Sequence, residues 1–263
     1  MITSRGNSKI KNVRKLQKSS KHRKEEKVFL VEGLKMVLEA PKGQIKECYI
    51  SESFFGKNAL KLKTLECPYE VVSEELFLFI SDTKTPQGIL AIIEQKCCSL
   101  EEILEEEILK EGSSMLLILE GIRDPGNLGT IFRTAEAAGV TGILMSKDCA
   151  DIYNPKTIRG TMGAIYRMPH VVFTNIEETL EKIKKAGIRL FATNLRAEKD
   201  FHQADYKGAT AFIIGNEGSG LSDLAVSLSH EAVKIPMKEN SESLNVAIAT
   251  SLLVFEVFRQ RGF

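Results

Sequence analysis

Along this chain, short unbroken apolar runs alternate with stretches whose apolar positions return every third or fourth residue, the signatures of buried strands and one-sided helices. Residues 8–24 show the second pattern: Ile10, Val13 and Leu16 fall inward and Lys11, Lys15 and Lys18 outward, which predicts a short helix. Residues 28–31 predict a strand, Glu32-Gly33 a turn, and residues 34–40 a helix with Leu34, Val37 and Leu38 on one side. Further strands are expected at 47–50, 69–72 and 89–93, separated by helical or loop material at 54–65 and 74–80. This alternation suits a small α/β domain. Residues 99–110 open with a capping box, Ser99 with Glu102 three positions on, and lead into Glu111-Gly112-Ser113-Ser114. A domain boundary is therefore expected near residue 112, dividing the chain into 1–112 and 113–263.

The second half repeats strand and helix. A strand at 115–119 precedes a helix from Gly126, whose inward positions are Leu128, Ile131, Phe132, Ala135 and Ala138, with Gly139 closing it. A strand at 142–145 precedes a helix at 155–165. Another at 170–173 precedes a helix at 177–185, begun by Asn175 and Glu178. Strands at 189–192, 211–214 and 233–235 follow, then a last helix over 244–261 with Ser243 as cap and Leu244, Ala247, Ile248, Leu252 and Phe255 inward. Strands that are almost wholly apolar, interleaved with helices, predict a mostly parallel sheet covered on both faces.

Composition adds little until its distribution is considered. Basic residues number 36 against 35 acidic ones, but residues 1–27 carry ten basic side chains and two acidic ones. Such a local electropositive arm is of the kind that meets phosphate; its plainer reading is a solvated face that serves solubility. The five cysteines form no C-x-x-C pair and no zinc spacing with the four histidines, so a reducing compartment and no metal are expected. His22, His170, His202 and His230 are scattered and are assigned no chemistry. Neither a signal-peptide core nor a membrane-spanning run is expected, which points to the cytoplasm.

Three loops marked by glycine or proline follow three of the predicted strands: Asp124-Pro-Gly-Asn-Leu-Gly129, Gly215-Asn-Glu-Gly-Ser-Gly220, and Ile235-Pro-Met237 with the polar bridge 238–243. In open α/β sheets ligands bind at the carboxyl ends of strands, so Asn127 and Arg133 stand at the mouth of a candidate site. Simple capping by Asn127, Ser243 and Asn245, and a solvated Arg133, are the plainer alternatives. The second loop is spaced G-x-x-G-x-G, unlike a dinucleotide fingerprint, and no phosphate loop of the G-x-x-x-x-G-K-[ST] type occurs. A phosphate-cradled nucleotide is thereby disfavoured.

Taken in this order, the three blocks resemble the SpoU/TrmH family of RNA ribose 2′-O-methyltransferases in the SPOUT superfamily. Asn127-Leu-Gly129 with Arg133 is similar to its first motif, Gly215-Asn-Glu217-Gly with Gly220-Leu221 to its second, and Ile235-Pro-Met237 with Ser243-Leu-Asn245-Val246 to its third. The first half is similar to a substrate-binding domain with a fold like ribosomal protein L30e, on the weaker signature Phe29-Leu-Val-Glu-Gly33. The resemblance implies S-adenosylmethionine as methyl donor, a homodimer and a C-terminal trefoil knot. It also implies cofactor contacts at Thr193, Gly215, Ile235, Met237 and Leu244. Arg133 would be the main catalytic residue, supported by Asn127, Glu217, Ser243 and Asn245. An RNA substrate is implied, with 23S ribosomal RNA favoured. A transfer RNA ribose methyltransferase, a base methyltransferase and a non-catalytic RNA-binding dimer are the alternatives.

Overall fold

The structure is a computed structural model, and it describes residues 1–262 except 63–64, 66, 97, 106–113, 217, 219 and 239–242. The expected domain boundary near residue 112, the end of the predicted helix at 99–110, and Glu217 fall outside the described residues.

In chain order the elements are α1 (Ser8–Lys18), α2 (Ser20–Glu26), β1 (Val28–Glu32), α3 (Leu34–Leu38), β2 (Ile45–Ser51), α4 (Glu52–Leu62), β3 (Tyr69–Val72), α5 (Glu74–Ile80), β4 (Ile89–Glu94) and α6 (Leu100–Ile103). Then come β5 (Met115–Glu120), α7 (Pro125–Ala137), β6 (Gly142–Ser146), α8 (Pro155–Thr161), β7 (His170–Phe173), α9 (Ile176–Lys185), β8 (Arg189–Thr193), β9 (Lys199–Asp200), β10 (Thr210–Gly215), α10 (Asp223–Leu228), β11 (Glu231–Lys234) and α11 (Val246–Gln260). Two compact units emerge: Met1–Lys96 with Asp151–Tyr166, and Cys97–Ala150 with Arg167–Phe263.

In the first unit, the described strands order as β1-β4-β2-β3, with β2 and β3 parallel and the other pairs antiparallel. Ile10, Val13 and Leu16 of α1 enter a core with Leu30, Tyr49, Leu76, Phe77 and Leu90, as the periodicity requires. The helix expected over 8–24 is broken in two. Ser19 takes an extended conformation (φ −118°), its hydroxyl accepts from the His22 amide, and its own N–H donates to the Lys15 carbonyl. A capping serine has ended one helix and begun the next. In α3 the inward positions are Met36 and Val37, and Leu38 faces out at 44% exposure, because so short a helix buries a single turn.

Residues 151–166, expected to belong with the second half, cluster with the first unit. The reason is a buried ion pair. Arg23 is 2% exposed; its Nε and Nη2 donate to Asp151 Oδ2 at 3.1 and 2.5 Å, and its Nη1 donates to the carbonyls of Leu16 and Gln17. The Phe29 and Tyr153 rings lie 5.0 Å apart, and Tyr166 Oη donates to the Met36 carbonyl at 2.9 Å.

The second unit holds a sheet whose described strands order as β7-β6-β5-β10-β8-β11-β9, every neighbouring pair parallel. Residues Met115–Leu119 of β5 are all buried, the mark of a strand covered on both sides. One face packs Leu116 and Ile118 against Leu180 and Ile183 of α9 and Ala225 of α10. The helix α10 and the short strand β9 were not evident in the periodicity. No described helix is long and apolar enough to cross a membrane.

His170 is buried at the start of β7, edge-on to Phe132 with centroids 5.4 Å apart, and its Nδ1 lies 2.9 Å from the Met168 carbonyl. Burial pushes its imidazole below the ordinary value of 6.5, so protonation favours the unfolded chain. Stability is therefore full above about pH 6.5 and falls as the pH drops, at up to about 1.4 kcal/mol per unit for this one group. His170→Gln should flatten that part of a urea-denaturation pH profile. Separately, Arg23→Ala leaves Asp151 without its cation and should lower unfolding free energy by about 3–5 kcal/mol, read by urea denaturation.

Candidate active site

Because β5, β10, β8 and β11 are parallel neighbours, the loops that follow them leave the sheet at one edge. A cleft of about 620 Å³ lies there. Thr193, Gly215, Ile235, Met237 and Leu244 all line it, as does Ser243. Ile214, Leu221, Val233 and Leu253 supply apolar wall, while Arg196, Lys234 and Asp223 contribute charge.

The Gly215–Leu221 loop folds back tightly. A Cβ on Gly215 would lie 2.3 Å from the Gly220 carbonyl carbon and 2.5 Å from the Leu221 nitrogen, so no side chain fits. The fold-back is sealed by an Asn216–Gly220 bridge, by the Gly220 N–H donating to the Asn216 carbonyl at 3.1 Å, and by Asn216 Oδ1 accepting from the Gly218 N–H at 2.9 Å. Gly220 has φ +69°, a left-handed conformation that glycine adopts without strain. At the loop's far end Ser222 caps α10, and its N–H donates to Glu120 Oε2 at 3.0 Å. Thr193 Oγ1 donates to the Ile213 carbonyl at 2.9 Å, tying the end of β8 to β10.

Two caps differ from expectation. Asp124, not Asn127, caps α7: its carboxylate accepts from the Asn127 N–H at 2.8 Å, with Pro125 in the first turn. Asn245, not Ser243, caps α11, its Oδ1 accepting from the N–H groups of Ala247 and Ile248 at 2.9 and 3.3 Å. Ser243 is left to line the cleft. Asn245 then donates from Nδ2 to Asn127 Oδ1 at 3.0 Å, so the first and third motifs meet through paired amides 118 positions apart.

Arg133 stands exposed on α7, makes no hydrogen bond or ion pair with the described residues, and is not among those lining the cleft of its own chain. The inward face of α11 also differs. Val246, Ala247, Thr250, Leu253, Val254 and Val257 are buried, whereas Ile248, Leu252 and Phe255 are 53%, 40% and 44% exposed. Among the expected inward positions only Ala247 is buried, and the helix is apolar nearly all round.

Sequence reasoning missed Glu120 and Gly121. Gly121 has φ +70°, and a Cβ there would meet Asp148 Oδ2 at 2.9 Å and the Asn216 amide at 3.1 Å, so it lets the first loop approach the second. An acidic residue and a glycine at the end of an apolar strand are the only local signal. Among the described residues no group of three or more His, Cys, Asp or Glu could hold a metal ion. Cys149 is a structural thiol: burial pushes its pKa up, and it packs between the Ile122 N–H and the Leu119 carbonyl.

Residues 114–255 match the model of the SpoU rRNA Methylase family, over half of the chain. The chain belongs to that family. Residues 7–91 match the MRM3-like substrate binding domain. Relatives include the 23S rRNA (guanosine(2553)-2′-O)-methyltransferase RlmP of Bacillus subtilis, 32% identical over 97% of this chain and 98% of that protein. A 23S rRNA (guanosine-2′-O-)-methyltransferase RlmB of Pseudomonas putida is 31% identical over 90% of this chain and 97% of its own length. Among solved structures, the AdoMet-bound rRNA methyltransferase of Sinorhizobium meliloti superposes with a TM-score of 0.86 at 32% identity, covering 98% of this chain and 97% of that one. The α/β fold of this SpoU protein, with its parallel sheet, is thus that of the SPOUT methyltransferases.

The Gly215 contact yields a sharp expectation. Gly215→Ala should open the loop and abolish S-adenosylmethionine binding in calorimetry, while the far-ultraviolet circular dichroism spectrum stays that of the wild type.

Proposed function

We propose that this SpoU-family chain is an S-adenosylmethionine-dependent methyltransferase that modifies a ribose 2′-hydroxyl in ribosomal RNA, with the 23S species as its substrate. One observation carries the reading: the loops that follow β8, β10 and β11 converge on a single cleft, and Asn245, between the lining residues Leu244 and Val246, is bonded to Asn127 of the first motif. The cleft suits the cofactor. About 620 Å³ is within the ordinary range for a small-molecule site. Its apolar wall can take a purine, and its glycine-rich backbone admits close approach. The described lining holds two cations and one acid rather than a phosphate-binding cluster, as befits a ligand without phosphate. Thr193, Gly215, Ile235, Met237 and Leu244 are the residues that would hold it.

When bound, the cofactor supplies a sulfonium methyl that is already an electrophile. The protein is left to align the ribose hydroxyl in line with it and to ease departure of a proton. Arg133 cannot be the base, because guanidinium stays protonated in proteins. It holds the adjacent phosphate and stabilises the developing alkoxide, with the proton passing to phosphate or water. Asn127 and Asn245 support that geometry, Ser243 lines the cleft beside it, and Glu217 completes the set implied by the second motif.

Arg133 does not line its own chain's cleft, so the reading requires a second copy. The exposed row of Ile248, Leu252 and Phe255 on α11 is an apolar surface that water covers poorly and a partner subunit covers well. The Arg133 helix packs on that same α11, where Ser251 Oγ lies 3.5 Å from Thr134 Oγ1. A homodimer through α11 would carry the partner subunit's Arg133 to the cleft. The trefoil knot and a cytoplasmic location belong to the same reading.

The test uses two inactive variants. Arg133→Ala should lose methyl transfer to ribosomal RNA at least a hundredfold while binding S-adenosylmethionine as the wild type does. Mixed and re-equilibrated with Gly215→Ala chains, it should recover part of the activity, since one site of a mixed dimer regains both an intact cleft and a guanidinium. Loss of cofactor binding by Arg133→Ala, or no recovery on mixing, would sink the assignment. Nucleoside digestion and mass spectrometry of the product should show ribose, not base, methylation.

A further inference from the structure

The ten basic residues of the N-terminal arm do not share one fate. Arg23 is buried against Asp151, Lys9 pairs with Glu70 at 2.8 Å, Arg5 with Glu75 at 2.6 Å, and Lys21 with Glu25 at 3.8 Å. Apart from Arg14, those that remain are Lys11, Lys15 and Lys18 on α1, with Lys24 of α2 and Lys27 beyond it. They are exposed and have no ion pair with the described residues. At spacings of four and three, Lys11, Lys15 and Lys18 form a single row along α1, with axial rises of about 6.0 and 4.5 Å between neighbours. Arg14 lies beside the row. Its Cζ sits 4.8 Å from the Phe79 ring centroid, and Arg5 sits at 4.8 Å from the same ring. Stacking holds the Arg14 plane while its Nη1 donates to Gln17 Oε1 at 2.7 Å.

We infer that this face of α1, the Lys11–Lys15–Lys18 row flanked by Arg14 stacked on Phe79, is the surface on which the first unit takes the phosphodiester backbone of the RNA substrate. The inference rests on the proposed function and specifies where affinity, as distinct from chemistry, is generated. Three observations favour RNA over an anionic lipid surface. The apolar side of α1 is spent on the core, with Ile10, Val13 and Leu16 all at 0% exposure, so the helix has nothing to insert into a bilayer. The cations are regularly spaced rather than diffuse. A guanidinium fixed on an aromatic ring presents a rigid donor edge, which matches phosphate better than a mobile headgroup layer. Acidic residues on the neighbouring elements, Glu70 and Glu75, are already engaged by Lys9 and Arg5 and leave the row uncompensated.

The experiment compares the full chain with the triple variant Lys11→Gln, Lys15→Gln, Lys18→Gln. A charge-matched control carries Lys184→Gln, Lys185→Gln and Lys207→Gln in the second unit. The probe is an unmodified 23S ribosomal RNA transcript, bound by filter retention across a salt series. The α1 variant should bind roughly tenfold more weakly, and its slope of log affinity against log salt should be shallower by about 2–3, the value for as many released phosphate contacts. Its S-adenosylmethionine affinity and thermal midpoint should equal those of the wild type. The control should bind as the wild type does. Equal weakening of both variants would reduce the effect to net charge and overturn the proposal, and so would an unchanged salt slope in the α1 variant. Tighter wild-type binding to phosphatidylserine vesicles than to RNA, lost in the same α1 variant, would assign the face to lipid instead. Failure of the underlying reading is separately visible, since it appears as absence of methyl transfer by the wild type.

Discussion

The parallel alignment of β5, β10, β8 and β11 is the constraint on which the second unit depends. A chain that runs along four adjacent strands in one direction must leave each of them at the same edge, so its loops meet there whatever their separation in sequence. Convergence alone would give a knot of packed backbone rather than a cavity. Room is kept because the Gly215 loop turns back upon itself within a few residues, a path open only to a residue lacking Cβ. Glu120, at the end of the neighbouring strand, then holds the returning loop by its Ser222 amide. The cleft is therefore a consequence of backbone direction and one missing methyl group, with side chains added as lining.

A second level of order comes from the pair α7 and α11. Asn245 uses both halves of its amide: the oxygen satisfies two free N–H groups at the start of α11, and the nitrogen reaches Asn127 in the first turn of α7. A cap of this type is worth about 0.5–2 kcal/mol, and a further hydrogen bond about 1 kcal/mol. The geometric effect outweighs the energetic one. Two helix starts are fixed to each other, and the residues that precede Asn245, Ser243 and Leu244, are thereby held against the cleft.

Much of this was legible in the residues because apolar runs and turn chemistry are local properties. The strands from β1 to β11 were readable within a residue or two, except β9, which is two residues long and has no periodicity to detect. Two of the loops that line the cleft, those at Gly215 and Ile235, announced themselves by glycine and proline; the third, Asn194–Arg196, carries neither, and the equally marked loop at Asp124 does not line it. What was not legible has three physical sources. Rival caps close in sequence, Asp124 with Asn127 and Ser243 with Asn245, are separated by backbone conformation rather than by residue type. On a helix as apolar as α11, spacing leaves the phase open, so the row Ile248, Leu252 and Phe255 could be drawn inward when it faces out. And the attachment of residues 151–166 to the first unit hangs on Arg23 and Asp151, whose pairing spans 128 positions and leaves no trace in either neighbourhood.

Arginine illustrates how one residue type is turned to opposite ends by its surroundings. Arg23 has its guanidinium out of water, with a carboxylate on one edge and two backbone carbonyls on another. A cation so satisfied can bind nothing else, and its removal would strand a buried anion; it is an element of the fold. Arg14 keeps one edge engaged with Gln17 and one plane on Phe79, which fixes its direction without consuming its charge. Arg133 has neither constraint from the described residues of its own chain. A permanently charged group with no partner among the described residues, carried on a helix whose neighbour α11 exposes an apolar row, is open to something that arrives from outside the chain. On the proposed reading, the gradation from sealed to oriented to open guanidinium separates structure, affinity and chemistry in a molecule whose total charge is nearly zero.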